Sequence, residues 1–332
     1  MPTMLILVGI ILSIGLQLPG AQSIGACYGV NGDNLPSKQE VVDLYKSNGI
    51  SGMRIYGPDG DTLEALKGSN IELIIDVPRE TLQVLTDVSA ANDWVNEFIT
   101  PYSQDVNFKY IAVGNEIRPG ENEAQYVLPA MTNIQSAISS ANLQGQIKVS
   151  TAIDATLTTN TYPPSNGVFT DAAGPYIKPI INFLVENGSP LLVNVYPYFA
   201  YINDQKDITL EYAIFLQQGT NEAGYQNLFD AMLDSFYAAL ESVGASNLNI
   251  VVSESGWPSE GGDGATGESA ATYYGNLITH AKGGTPKRPN GPIETYLFAM
   301  FDENKKPGAE TEQHFGLFRP DKLPKYQISF NS

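Results

Sequence analysis

Eight short runs rich in Val, Ile, Leu and Tyr, alternating with stretches of helical period over about 309 residues, predict a (β/α)8 barrel. Two further observations support that class. Most of the runs are near-continuously apolar, as parallel strands buried on both faces require. No Ser/Gly linker or charge block divides the chain, so a single α/β domain is expected. A doubly wound open sheet is the competing architecture, because strand order is not written in one sequence.

In chain order the predicted strands are ACYGV (26–30), GMRIYG (52–57), IELIIDV (71–77) and KYIAVGNE (109–116), followed by IKVSTAID (147–154), PLLVNVYP (190–197), NIVVSES (249–255) and ETYLFAMFDE (294–303). Between the fourth and fifth runs, Tyr126, Ala130, Ile134, Ala137, Ile138 and Ala141 recur at spacings of three and four, the mark of an amphipathic helix. Pro129 leaves the start of that helix open. Phe229, Met232, Leu233, Phe236, Leu240 and Val243 form a second such face. The long segment 198–248, between strands six and seven, is expected to carry an extra helical insertion.

The ends of the chain point to export. Residues 4–18 are an apolar run of signal-peptide length, followed by small residues that suit cleavage after Ala21 or Ser23. The expected organisation is therefore a signal peptide at 1–23 and a barrel at 24–332. The run is shorter than the ~20 residues that span a bilayer, so no membrane association is expected after cleavage. Asn187-Gly-Ser is a glycosylation sequon, with Pro190 directly behind it.

Charge narrows the partners. The chain carries 18 basic and 36 acidic residues, a formal net charge of −18, yet only 16% of its residues are charged. Nucleic acid is excluded as a partner, since phosphate binding needs clustered positive charge. One Cys (Cys27) and two His (His280, His314) leave no disulfide framework and no Cys- or His-rich metal site. No metal and no organic cofactor are expected.

In a barrel of this kind the C-terminal strand ends carry the chemistry. Strand four ends in Gly114-Asn115-Glu116, strand seven in Ser253-Glu254-Ser255, and strand eight in Asp302-Glu303-Asn304. Carboxylates at the ends of strongly apolar strands are costly unless paired or used. Two facing a polar pocket suit glycoside hydrolysis, where one carboxyl donates a proton to the leaving oxygen and the other attacks the anomeric carbon. Tyr56, Tyr196, Tyr198, Phe199, Tyr201, Trp257, Phe298 and Phe301 lie at or just past strand ends, where rings can stack on sugars. Core packing competes for each of them. Gly262-Asp-Gly264-Ala-Thr-Gly267 matches a dinucleotide fingerprint as a string but starts well after its strand, so it reads as a loop. There is no G-x-S-x-G elbow and no P-loop. His314 reads as a hydrogen-bonding surface residue, Cys27 as a buried small hydrophobe, and Asp59-Gly-Asp61 as turn chemistry.

Seven ordered blocks then become specific: IGACYGVNGDNLPS, MRIYGPD, YIAVGNE, NVYPYF, VVSESGWPS, FAMFDENKKPG and EQHFGLF. Together they resemble the plant glucan endo-1,3-β-glucosidases of glycoside hydrolase family 17, pathogenesis-related type, from about Ile24 to Phe330. The resemblance implies a (β/α)8 barrel, retention of anomeric configuration and endo-cleavage of β-1,3-glucan. It implies that Glu116 is the general acid/base and Glu254 the nucleophile. Asn115 would bond the hydroxyl beside the reacting carbon, and Tyr56 and Tyr196 would contact substrate at the cleavage point. Glu303, Lys306 and Glu312 would form a charged cluster that supports the nucleophile and binds sugar. Lys306, if close to Glu254, would keep it ionised. The two catalytic carboxyls of a retaining enzyme stand about 5–5.5 Å apart. The implied protein is a monomeric, acidic enzyme of the plant apoplast or cell wall, in preference to the vacuole. A mixed-linkage 1,3-1,4-glucan hydrolase and a catalytically silent wall-binding protein are the alternative readings.

Overall fold

The computed structural model describes residues 24–330, so the proposed signal segment 1–23 lies outside the described residues. Strands β1 (Ile24–Tyr28), β2 (Gly52–Ile55), β3 (Glu72–Val77), β4 (Asn107–Asn115) and β5 (Lys148–Ile153) form the first part of the sheet. A two-stranded antiparallel piece, β6 (Thr158–Thr159) with β7 (Val168–Phe169), follows, and then come β8 (Leu191–Asn194), β9 (Ile250–Ser255) and β10 (Thr295–Leu297). Eight of these strands close in the order β1-β10-β9-β8-β5-β4-β3-β2. Every pairing around the ring is parallel, including the closing pair, in which Gly25 faces Tyr296. Closure excludes the open doubly wound sheet.

The helices are α1 (Lys38–Asn48), α2 (Gly60–Leu66), α3 (Val88–Phe98), α4 (Ala124–Ser140), α5 (Gly174–Asn187), α6 (Pro197–Asn203), α7 (Leu210–Ala213), α8 (Leu228–Ser242) and α9 (Gly267–His280). Local sequence sets their ends. Ser37 and Glu40 form a reciprocal capping box on α1, and Gly49 closes it in the left-handed conformation. Asn227 caps α8 by accepting from the Asp230 amide at 2.8 Å, and Thr266 caps α9 in the same way at 3.0 Å. Helix α4 runs through Pro129, because the buried face of Val127, Ala130, Met131 and Ile134 outweighs one lost backbone bond.

The predicted insertion is present as α6 and α7, ahead of α8. Two features were not legible in the sequence. The β5–α5 connection carries the small β6–β7 sheet, whose two-residue strands give no periodic signal. The last predicted strand, 294–303, joins the barrel only over Thr295–Leu297, and among the described residues no α-helix follows it. The chain beyond instead makes isolated bridges, Phe301 to Phe318 and Phe318 to Pro324.

The core has two compartments. The larger lies between sheet and helices. The smaller fills the barrel with Cys27, Ile74, Tyr110, Ala112, Ala152, Leu192, Val251 and Tyr296. At the floor the Tyr296 ring lies across β1 and β2, where a Cβ on Gly25 would come within 2.3 Å of it and one on Gly52 within 2.9 Å. Tyr296 and Tyr110 both donate to Glu294, at 3.2 and 3.1 Å, and Lys109 pairs with Glu294 and Glu72. The Tyr296 ring and this polar cluster therefore fill the barrel at its floor.

Candidate active site

The C-terminal strand ends open onto a cleft of about 1090 Å³. Tyr56, Asn115, Glu116, Tyr196, Glu254, Glu303, Lys306 and Glu312 all line it. The eight residues singled out in the sequence are thus brought together from five separate stretches of chain.

Glu254, on β9, is the most heavily supported. Its Oε1 accepts from Arg54 Nη1 at 2.9 Å and from the Tyr56 hydroxyl at 2.8 Å, and its Oε2 accepts from the Tyr196 hydroxyl at 2.7 Å. All three partners are donors facing a carboxylate, and one carries full positive charge. Burial, reinforced by the neighbouring charge of Glu254, holds both phenols well above the usual tyrosine range, so they remain donors.

Glu116 differs in kind. It follows β4 with a positive φ of 52°, uncommon for a side chain with a Cβ, and its amide bonds the Ala152 carbonyl at 2.9 Å. Its carboxyl accepts one amide bond, from Asn194 Nδ2 at 2.8 Å. Burial first, and the charge of Glu254 second, push it up to about 7. One cleft thus holds two carboxyls in opposed settings, one among donors and a guanidinium, the other desolvated and repelled.

A polar layer beneath the cleft links the pair. Arg54, wholly buried, grips Asp76 with two bonds, Nε to Oδ1 at 3.1 Å and Nη2 to Oδ2 at 2.8 Å. It also reaches Asn115 Oδ1 at 3.0 Å and Asn194 Oδ1 at 3.2 Å. Asn194 accepts from Ser253 and donates to both Asn115 and Glu116. Asn115 Oδ1 therefore takes two bonds, and its NH2 group has no partner among the described residues. Asn115 itself lines the cleft.

Arg54, Asp76, Asn194 and Ser253 were missed by sequence reasoning. Their signal was a charge or amide inside an otherwise apolar strand, as in GMRI, ELIIDV and LLVN. Such a residue needs a partner to be buried at all.

Three expectations are corrected. Lys306 makes no contact with Glu254: its Nζ lies 3.2 Å from Glu312 and 4.0 Å above the centre of the Phe298 ring. The cation at Glu254 is Arg54. Glu303 does not touch Glu254 either. It is buried, and its Oε1 accepts from the Asn31 amide at 2.7 Å, where only a glycine at position 29 leaves it room. With Lys305 bonded to Asp33 at 3.0 Å, it straps the last strand's loop to the first. Of the eight rings, Tyr56, Tyr196, Phe199 and Phe298 line the cleft, whereas Trp257, Tyr198, Tyr201 and Phe301 pack behind it. Phe315, not foreseen, completes the lining by packing on Phe298 and Tyr196. Of the fingerprint-like glycines, Gly262 and Gly264 sit in the loop before α9 and Gly267 opens that helix, and Cys27 is buried inside the barrel.

The sequence model of glycosyl hydrolases family 17 matches residues 24–330. The chain belongs to this family. A glucan endo-1,3-beta-glucosidase of Vitis vinifera is 62% identical over 320 residues, covering 94% of this chain and 93% of that protein. An acidic isoform of the same name from Nicotiana tabacum is 57% identical, covering 98% and 96%. Among solved structures, a beta-1,3-glucanase and allergen of Cryptomeria japonica pollen superposes with a TM-score of 0.90 at 48% identity, covering 93% of this chain and 99% of that one. A plant beta-glucan endohydrolase, from a pair described as having distinct substrate specificities, gives 0.88 at 41% identity, covering 92% and 100%. These two structures bear out the (β/α)8 architecture over nearly the whole of the described chain.

Proposed function

We propose that this family 17 hydrolase cleaves internal 1,3-β-glucosidic bonds of β-1,3-glucan with retention, using Glu116 as acid/base and Glu254 as nucleophile. The observation that carries the reading is the opposed setting of the two carboxyls in one cleft. Glu116, raised to about 7, keeps a proton at mildly acidic pH and can deliver it to the departing glucosyl oxygen. As that C–O bond breaks, a Glu254 oxygen bonds to the anomeric carbon from the opposite face. Glu116, now ionised, takes a proton from water, whose oxygen attacks the anomeric carbon and releases Glu254.

Asn115, with its free NH2 group, is suited to the hydroxyl next to the reacting carbon. The rings of Tyr56, Tyr196, Phe199 and Phe298 give the cleft aromatic surface, which holds a neutral polysaccharide without ion pairs. Lys306 and Glu312 offer a charged pair that bonds sugar hydroxyls at the rim. Glu303 contributes to substrate binding through the loop that it straps, not as a partner of the nucleophile. The relatives' printed names support the 1,3-linkage.

We read residues 1–23 as an export signal and the mature enzyme as secreted, and we take a monomer as its working state. Among the described residues no helix is long and apolar enough to cross a membrane. Product sizing over time on a linear 1,3-glucan tests the reading. A spread of intermediate oligosaccharides early in the reaction is expected. Release of glucose alone, or faster turnover of mixed-linkage 1,3-1,4-glucan, would overturn it.

A further inference from the structure

We infer that Asp76 is a positioning residue for this reaction: through Arg54 it fixes the nucleophile's orientation and balances the charge felt by the acid. The inference rests on reading Glu254 as nucleophile and Glu116 as acid. Asp76 does not line the cleft, and its side chain is buried beneath it. Both of its oxygens accept from one guanidinium, at 3.1 and 2.8 Å. A bidentate grip of this kind fixes the guanidinium plane as well as its place. The remaining N–H groups of Arg54 are then aimed at Glu254, Asn115 and Asn194, with the Ser253 carbonyl at 3.3 Å. Every donor of Arg54 is engaged, so its orientation has no slack except through Asp76.

The charge balance follows from the same layout. The charged and titratable groups facing Glu116 are Glu254 on β9, Asp154 after β5, Arg54 on β2, Arg118 behind it on its own loop and Tyr196 after β8. Those facing Asp76 are Arg54, Glu254 and the buried thiol of Cys27. Arg54 is therefore shared between two carboxylates and lies close to a third carboxyl. Ionised Asp76 offsets part of the positive charge that Arg54 shows to the mouth. Without it, Arg54 would favour the ionised form of Glu116 and shorten the pH range over which the acid holds its proton.

The test compares Asp76→Asn and Asp76→Glu with wild type, all checked for folding by circular dichroism and melting temperature, on a soluble linear 1,3-glucan. For Asp76→Asn, kcat should fall on the order of 100-fold with KM within about twofold, since no ring or hydroxyl contact changes. Its alkaline limb should move to lower pH by about half a unit or more. Asp76→Glu keeps the charge but displaces the grip, so kcat should fall about tenfold with the alkaline limb unmoved. Wild-type kcat in either folded variant, or a kcat loss in Asp76→Asn with an unmoved limb, would overturn the inference. If Asp76→Asn does not fold, Asp76→Glu decides it, through its kcat loss and stationary limb. Labelling of wild type by a 2-deoxy-2-fluoro glucosyl donor on a residue other than Glu254 would instead defeat the reading beneath it.

Discussion

Glu116 should make the protein less stable at the pH where it is ionised, and replacing it should remove that cost. A Glu ordinarily titrates at 4.5, and Glu116 is held at about 7 by burial and by the charge of Glu254. The native state therefore holds its proton more tightly than the unfolded chain does. Below about pH 4.5 the group is protonated in both states and costs nothing. Between 4.5 and 7 the unfolded chain ionises first, so stability is progressively lost, and above 7 the loss is complete. At about 1.4 kcal/mol per pH unit, that displacement corresponds to roughly 3 kcal/mol. Glu116→Gln keeps the shape and still accepts from Asn194 Nδ2. It should leave the melting temperature unchanged near pH 4 and raise it by roughly 6 °C at pH 8, taking about 2 °C per kcal/mol for a domain of this size. Differential scanning calorimetry at the two pH values measures both. An equal shift at pH 4 and pH 8, or a fall at pH 8, would refute the desolvated and repelled environment from which the role of Glu116 is argued.

Other expected outcomes follow from single contacts. Tyr196→Phe removes the donor at 2.7 Å from Glu254 Oε2 and should lower kcat on the order of 10²-fold, with the melting temperature little changed; near wild-type kcat would show that the bond is structural only. Glu116→Ala should be slow on polymer but regain activity with azide, giving a β-glycosyl azide by nuclear magnetic resonance, whereas an α product would contradict retention. Gly25→Ala places a Cβ against the Tyr296 ring and should destabilise the barrel by about 1–3 kcal/mol, read as a lower melting temperature with an unaltered pH–rate profile.

The parts legible in the sequence and the parts that were not have a common physical origin. Strands β2, β3, β8 and β9 were readable because burial on both faces demands apolar runs. Glu116 and Glu254 were readable because a carboxylate closing such a run needs a reason to be there. Arg54 and Asp76 sit inside the runs rather than at their ends, and each is explained only by the other. Their pairing joins neighbouring strands, whereas the bond from Arg54 to Glu254 spans 200 positions of sequence. The family resemblance puts Lys306 in the cluster that supports Glu254, yet a resemblance does not tell which way a flexible side chain turns. It turned to Glu312 and Phe298. The β6–β7 piece and the short final strand left no pattern, since two or three paired residues cannot establish a period.

The most direct measurement is covalent trapping. A 2-deoxy-2-fluoro-β-laminaribiosyl donor with a good leaving group should inactivate the enzyme in a time-dependent manner and add one disaccharide by intact mass. Peptide mapping should place the ester on Glu254, in the segment that closes β9. An adduct on any other carboxylate, or inactivation with no adduct at all, would contradict double displacement through Glu254.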